Sequence, residues 1–133
     1  MDSESVITRD ICRGLRNCGA VVIAVQGGMK TTVGTPDRFI AHIAFSGWVE
    51  FKRFGGSLTQ PQWIMHQQLL ACKFPAIICW YDYPRDCIVL QCGEDCTFDT
   101  KDVVSLSALR SRDSGAALEL LISMQKTFTR TIK

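Results

Sequence analysis

Trp48-Val49-Glu50-Phe51-Lys52 is the stretch whose reading decides how this 133-residue chain folds. It is short, aromatic and β-branched, which is strand composition. Strand side chains alternate, so Glu50 and Lys52 share a face about 6.8 Å apart, and Val49 and Phe51 take the other. Both faces therefore carry apolar neighbours. Glu50 and Lys52 are ionisable residues where a core would prefer none.

Working outward, Asp37–Ala44 reads as a second strand, joined to Trp48–Phe54 by a turn around Ser46-Gly47. Two short strands joined by a tight turn are adjacent and antiparallel. Asp37, just after Gly34-Thr35-Pro36, is then expected across the ladder close to Lys52, in a register the sequence does not fix. Upstream, Ile7, Ile11, Leu15 and Cys18 form one stripe and predict a helix over Ser3–Cys18, stopped by Gly19. Glu4 lies on that stripe and would point inward; a first-turn acid favoured by the helix dipole fits it equally. Ala20–Val25 reads as a buried strand, and the glycine-rich 26–36 as a long loop without P-loop spacing, so no nucleotide cofactor is expected.

Downstream, Thr59 caps a helix over Thr59–Lys73, with Pro61 in its first turn. Pro75–Tyr81 is a second continuous apolar strand. Tyr83-Pro84-Arg85-Asp86 is a turn, Cys87–Gln91 a strand, and Ser114–Phe128 a helix with Ala117, Leu120, Leu121, Met124 and Phe128 on one face. Between them, Thr97–Phe98 and Val103–Ser107 read as short strands or turns. Trp63, Trp80 and Tyr81 read as core residues rather than base-stacking platforms, and His42 as structural. The order helix, three strands, helix, two strands, helix predicts an α/β fold with a mixed sheet flanked by helices, as one domain over 1–133.

Composition sets bounds. Hydrophobic residues make up 47% and charged residues 21%, values of an ordinary globular chain. No apolar run approaches the roughly 20 residues of a membrane span, and the acidic, polar MDSES start is unlike a signal peptide, so a cytoplasmic protein without membrane contact is expected. The net charge of +2 neither demands nor excludes nucleic acid, but residues 82–102 hold six acids against two bases. That segment reads as a solvated acidic hairpin, or as a strip held away from a polyanion. Seven cysteines, without a Cys-x-x-Cys pair or a nearby histidine, predict neither a complete disulfide framework nor a structural zinc.

The chemistry implied by Asp37, Glu50 and Lys52 is specific. Two close carboxylates repel, and a hard divalent cation relieves that repulsion. Mg²⁺ uses few protein carboxylates and leaves room for phosphate oxygens. A lysine beside it supplies charge to a developing anion. Hydrolysis of a phosphodiester follows. Taken alone, Glu-x-Lys also fits an exposed edge hairpin with a surface ion pair.

Gly34-Thr35-Pro36-Asp37, then Glu50-Phe51-Lys52 thirteen residues on, then Gly55-Gly56-Ser57-Leu58-Thr59-Gln60-Pro61-Gln62, resembles the VRR-NUC family of the PD-(D/E)XK nuclease superfamily. The resemblance covers about residues 4–81; nothing beyond residue 82 takes part in it. It implies a restriction-endonuclease-like core in which Asp37, Glu50 and the Phe51 backbone carbonyl ligate Mg²⁺, with Mn²⁺ as a substitute. Lys52 would be the catalytic lysine and Gln62 would stand near the scissile phosphate. Glu4 matches the first-helix acid of related resolvases and is a further candidate ligand. Gln62 has a second role open to it, since Thr59-x-x-Gln62 is a capping box; its place on the stripe of Met65, Leu69 and Cys72 turns it inward. Lys30, Arg38, Arg53 and Lys73 are candidate phosphate contacts.

The expected activity is a metal-dependent DNA endonuclease, structure-specific and directed at branched or four-way DNA. Standalone members resemble Holliday-junction resolvases, which implies a homodimer, with the last helix as the expected interface. The alternatives are a non-catalytic DNA-binding subunit of the same fold, and a nuclease for RNA or single strands.

Overall fold

The computed structural model describes residues 3–25, 33–96, 104–111 and 113–132. Lys30, most of the glycine-rich loop and Thr97–Phe98 lie outside the described residues. The elements are α1 (Glu4–Asn17), β1 (Val21–Ala24), β2 (Arg38–Ala41), β3 (Gly47–Arg53), α2 (Gln60–Ala71), β4 (Ala76–Asp82), β5 (Cys87–Cys92), β6 (Asp95–Cys96), β7 (Val104–Ser105), α3 (Leu106–Arg110) and α4 (Ser114–Thr131). They form an α/β fold around one mixed sheet, ordered β1-β2-β3-β4-β5-β6. β7 pairs with β5 at the end opposite β6. β3 and β4 are parallel, with α2 as their crossover; the other pairs are antiparallel.

The helices start where side chains satisfy their free N–H groups. Ser3 accepts from the Val6 N–H, Thr59 from Gln62, and Asp113 from Gly115 and Ala116. Asp86, in the turn after β4, accepts from the Ser107 N–H at 2.7 Å and from the Ser105 and Ser107 hydroxyls. That carboxylate ties the β4–β5 turn to α3. Its hydrogen bonds, those from Ser107 first, hold the Asp86 carboxyl below the usual range. Arg110 on α3 reaches Asp10 on α1 with Nε and Nη2, both at 3.0 Å.

One face of the sheet carries the core. Val49, Phe51, Ile77, Cys79, Tyr81, Leu90 and Cys92 point at α1, α3 and α4, which supply Ile7, Ile11, Leu15, Leu109, Leu120, Leu121, Met124 and Phe128. The other face carries Glu50 and Lys52 on β3, with Ile78 and Trp80 beside them on β4. Of α2, only His66 is buried.

Several expectations need correction. β1 is not buried on both faces: it is the sheet's edge, with Val21 58% and Ile23 53% exposed. A continuous apolar run does not distinguish a central strand from an edge strand. The apolar stripe of α4 packs into the chain's own core rather than lying uncovered, with Leu118 and Ile122 exposed elsewhere on the helix; residues beyond 82 complete the core. Trp63 and Trp80 are half-buried, not core, whereas Tyr81 is buried. The β2–β3 link is a five-residue loop, His42–Ser46, not a tight turn. His42 is structural as expected: its Nδ1 accepts from the Ala44 N–H at 3.0 Å, and its Nε2 lies 3.2 Å from the Cys18 carbonyl oxygen. The six cysteines at 12, 18, 72, 79, 87 and 92 are free thiols. Among the described residues no helix is long and apolar enough to cross a membrane.

Candidate functional site

β3 is an inner strand, paired on both sides, so its polar residues are not those of an exposed hairpin. Glu50 is 8% exposed, which removes the surface ion-pair reading. The β2–β3 ladder pairs Arg38 with Val49. One step further in the same register brings Asp37 level with Glu50, not with Lys52 as the sequence suggested. Two residues of register separate the two arrangements.

Gly34 explains how Asp37 is held. It has φ +90, and a Cβ there would collide with the Pro61 carbonyl group. The loop before Asp37 thus packs directly on the first turn of α2, and only glycine permits that approach. The Asp37 carbonyl accepts from the Val25 N–H at 2.9 Å, joining the same loop to the end of β1. Arg38 donates to that carbonyl at 2.9 Å and lies 3.9 Å from the Asp37 carboxylate.

Asp37 lines a cleft of about 330 Å³ with Glu4, Ser5, Thr8, Arg38 and Phe51. Glu50 and Lys52 leave β3 on the face opposite Phe51 and do not line it. Burial drives both carboxyl groups upward, Asp37 to about 6 and Glu50 to about 8. The Arg38 charge and the Phe51 N–H pull Asp37 down; the Glu4 charge pushes it up. For Glu50, the Asp37 charge adds to the rise, Lys52 opposes it, and Glu4 adds a smaller increment. Among the described residues Asp37 Oδ1 is buried without a hydrogen-bond partner, an acceptor that a cation or a proton would satisfy.

The fit to a divalent ion rests on a small donor set: Asp37, Glu50 and the Phe51 carbonyl; Glu4 lines the cleft beside Asp37 but is not grouped with both carboxyls. The orphaned Asp37 oxygen and the two desolvated carboxyls suit a hard cation. Among the described residues no three His, Cys, Asp or Glu side chains are grouped to hold a metal ion, so such a site has two carboxylates at most.

The remaining candidates separate. Gln62 Oε1 accepts from the Thr59 N–H at 2.8 Å, and Thr59 Oγ1 accepts from Gln62 at 3.3 Å, so Gln62 serves the capping box rather than an inward stripe. Its helix turn still sits against the Gly34 loop. Arg53 ends β3 and is exposed. Lys73 is not near the site. It follows α2 at φ +60, at the end of the sheet where β4 begins, opposite the end that carries Lys52.

Sequence reading missed Thr8 and Ser5 in the cleft wall. Thr8 lies four residues after Glu4, one helical turn on the same face, and that spacing was a usable signal. It also missed the open surface around Trp63 and Trp80, which no local pattern marks. Comparison with protein-family models, with curated proteins and with solved structures finds no match.

Proposed function

We propose that the chain is a metal-dependent DNA endonuclease with a PD-(D/E)XK-type core of VRR-NUC character. One observation carries the reading: two desolvated carboxyls, Asp37 and Glu50, level on adjacent strands, with Lys52 two residues on from Glu50. The motif resemblance over residues 4–81 supports it. Asp37, Glu50 and the Phe51 carbonyl would hold Mg²⁺ or Mn²⁺. Held there, a divalent ion would supply polarisation of a phosphoryl oxygen and a lowered pKa for a bound water. Lys52 places positive charge where the pentacovalent phosphorus gathers negative charge. Gly34 fixes the Asp37 loop against α2, which keeps the first carboxylate in register with the second.

A domain this small offers little surface for sequence readout, which favours branched or four-way DNA, cut by a homodimer with two symmetric sites. The test is cleavage of labelled duplex, flap, bubble, single-stranded and four-way substrates with Mg²⁺ or Mn²⁺, by the wild type and by Glu50→Gln. Metal-dependent cleavage lost in the variant supports the reading; no cleavage of any substrate by pure protein refutes it. The absence of a three-side-chain metal group among the described residues favours a second reading, a non-catalytic DNA-binding subunit. Calorimetric titration with Mn²⁺ separates them, since only the catalytic reading requires binding that Asp37→Asn weakens.

A further inference from the structure

The face that carries Glu50 and Lys52 continues sideways into an open aromatic groove. Lys52 pairs with Trp80 across the parallel β3–β4 ladder, so the indole begins one strand spacing, about 4.8 Å, from the lysine's backbone. Trp80 and Gln91 line two adjoining hollows. One, of about 300 Å³, is completed by Phe54, Gly55 and Gly56. The other, of about 510 Å³, is completed by the loop before α2 and by Trp63.

Both tryptophans are held in place. Trp80 Nε1 donates to Gln91 Oε1 at 2.9 Å, and Gln91 Nε2 donates to the Gly93 carbonyl at 2.8 Å. Trp63 stacks on His66 with ring centroids 5.6 Å apart and planes 26° from parallel. His66 is buried and its Nε2 accepts from the Gly93 N–H at 2.9 Å. Gly93 thus anchors both supports. Two half-exposed, pre-positioned indoles form a rigid surface, which loses little freedom on stacking. Among the described residues no Asp or Glu lines either hollow.

We infer that this groove receives an unpaired nucleobase of the strand being cut, stacked on Trp63 and Trp80 while its neighbouring phosphate lies at Lys52. The inference rests on the nuclease reading for its substrate, and it narrows that substrate to DNA with single-stranded nucleotides beside the cut, such as a flap. A fully paired duplex keeps its bases stacked on one another and leaves the groove empty. Base–aromatic stacking is sequence-tolerant, because every base has a π-face.

The test uses the full chain carrying Glu50→Gln, to prevent cutting, and a flap DNA with 2-aminopurine in the unpaired strand next to the branch. Fluorescence and anisotropy report stacking and affinity, against a paired duplex with the same label. Adding Trp63→Ala should weaken flap binding about 5- to 150-fold, the range for one lost stacking contact, and abolish the 2-aminopurine quenching. Duplex binding should not change, and Trp63→Phe should restore most of the flap affinity. Trp80→Phe, which keeps a ring but loses the hydrogen bond to Gln91, gives a second variant should Trp63→Ala fail to fold by circular dichroism. Equal losses on flap and duplex, or no loss on either, overturn the inference while leaving nuclease activity to its own assay. Trp63-dependent flap binding by a chain that cuts nothing sustains the groove and refutes the nuclease. An apolar peptide or small molecule as the true occupant would show as flap binding indifferent to Trp63, which overturns it.

Discussion

On one face of the sheet, α1, α3 and α4 close over a continuous apolar core. On the other, α2 covers β4 with a single fully buried side chain, His66, and leaves Ile64 exposed and Met65, Leu69 and Trp63 half-open. The first face is where stability comes from; the second is where polar residues survive at low exposure. A carboxylate such as Glu50 would be intolerable among Leu120 and Met124, because burying an unpaired charge costs far more than one lost apolar contact returns. Beside a thinly covered helix, a partner, a proton or an ion can reach it.

The largest effects should fall on the packed face. Leu120→Ala is expected to cost about 2–5 kcal/mol, against roughly 1 kcal/mol for Leu69→Ala on α2, where little area is removed from water. Urea denaturation of both variants checks the ratio; equal losses would erase the distinction between the faces. On the open face the loss is of activity. Glu50→Gln and Lys52→Ala should each lower the cleavage rate by about 10²–10³-fold or more, with the fold intact by circular dichroism. Near-normal cleavage by either variant removes that residue from the mechanism.

Gly34→Ala joins the two kinds of effect. The added methyl meets the Pro61 carbonyl in a left-handed backbone conformation, which should cost about 1–3 kcal/mol and shift Asp37 away from Glu50. A variant as stable and as active as the wild type would show that the α2 contact is not what places Asp37.

The smallest effect is in the pH dependence. Asp37 and Glu50 titrate higher in the folded chain, to about 6 and about 8, than when unfolded. Between pH 4.5 and 8 the folded state therefore holds more protons, and without metal stability falls as pH rises through that window. His66 works in the opposite sense at the acid end. Burial lowers it to about 4, so its share of stability is lost as pH falls from about 6.5 toward 4. Glu50→Gln should flatten the alkaline side of the curve and raise the melting temperature at pH 8 by about 3–5 °C, on the scale of 1 kcal/mol. A wild type whose melting temperature is unchanged between pH 6 and pH 8 without metal would contradict the burial of Glu50.

The elements governed by short-range rules were legible. The Ile7, Ile11, Leu15 stripe is the buried face of α1. The Thr59–Gln62 capping box is formed with both hydrogen bonds. The β3 alternation places Val49 and Phe51 inward. What the sequence lacked was everything set by distant contacts. The five-residue loop from His42 set the register, which brings Asp37 level with Glu50, two residues from Lys52. The need for glycine at 34 comes from Pro61, 27 positions on, and leaves no local trace. β1 reads like a central strand, and only the sheet order shows it to be an edge. Trp63 and Trp80 resemble core residues in any window, and their half-exposure follows from how thinly α2 covers β4. The site's residue types could be read; their mutual placement could not.

The sparse seating of α2 makes it the least anchored of the long helices, a segment able to detach while the rest stays folded. Native-state hydrogen exchange should find the amides of Gln60–Ala71 opening at a lower free energy than those of α1 and α4, as a cooperative unit of their own. The Gly34 contact and the Trp63 wall both ride on that segment. Its opening would release the Asp37 loop and the aromatic surface together, so one local melting event would dismantle the carboxylate pair and the groove at the same time.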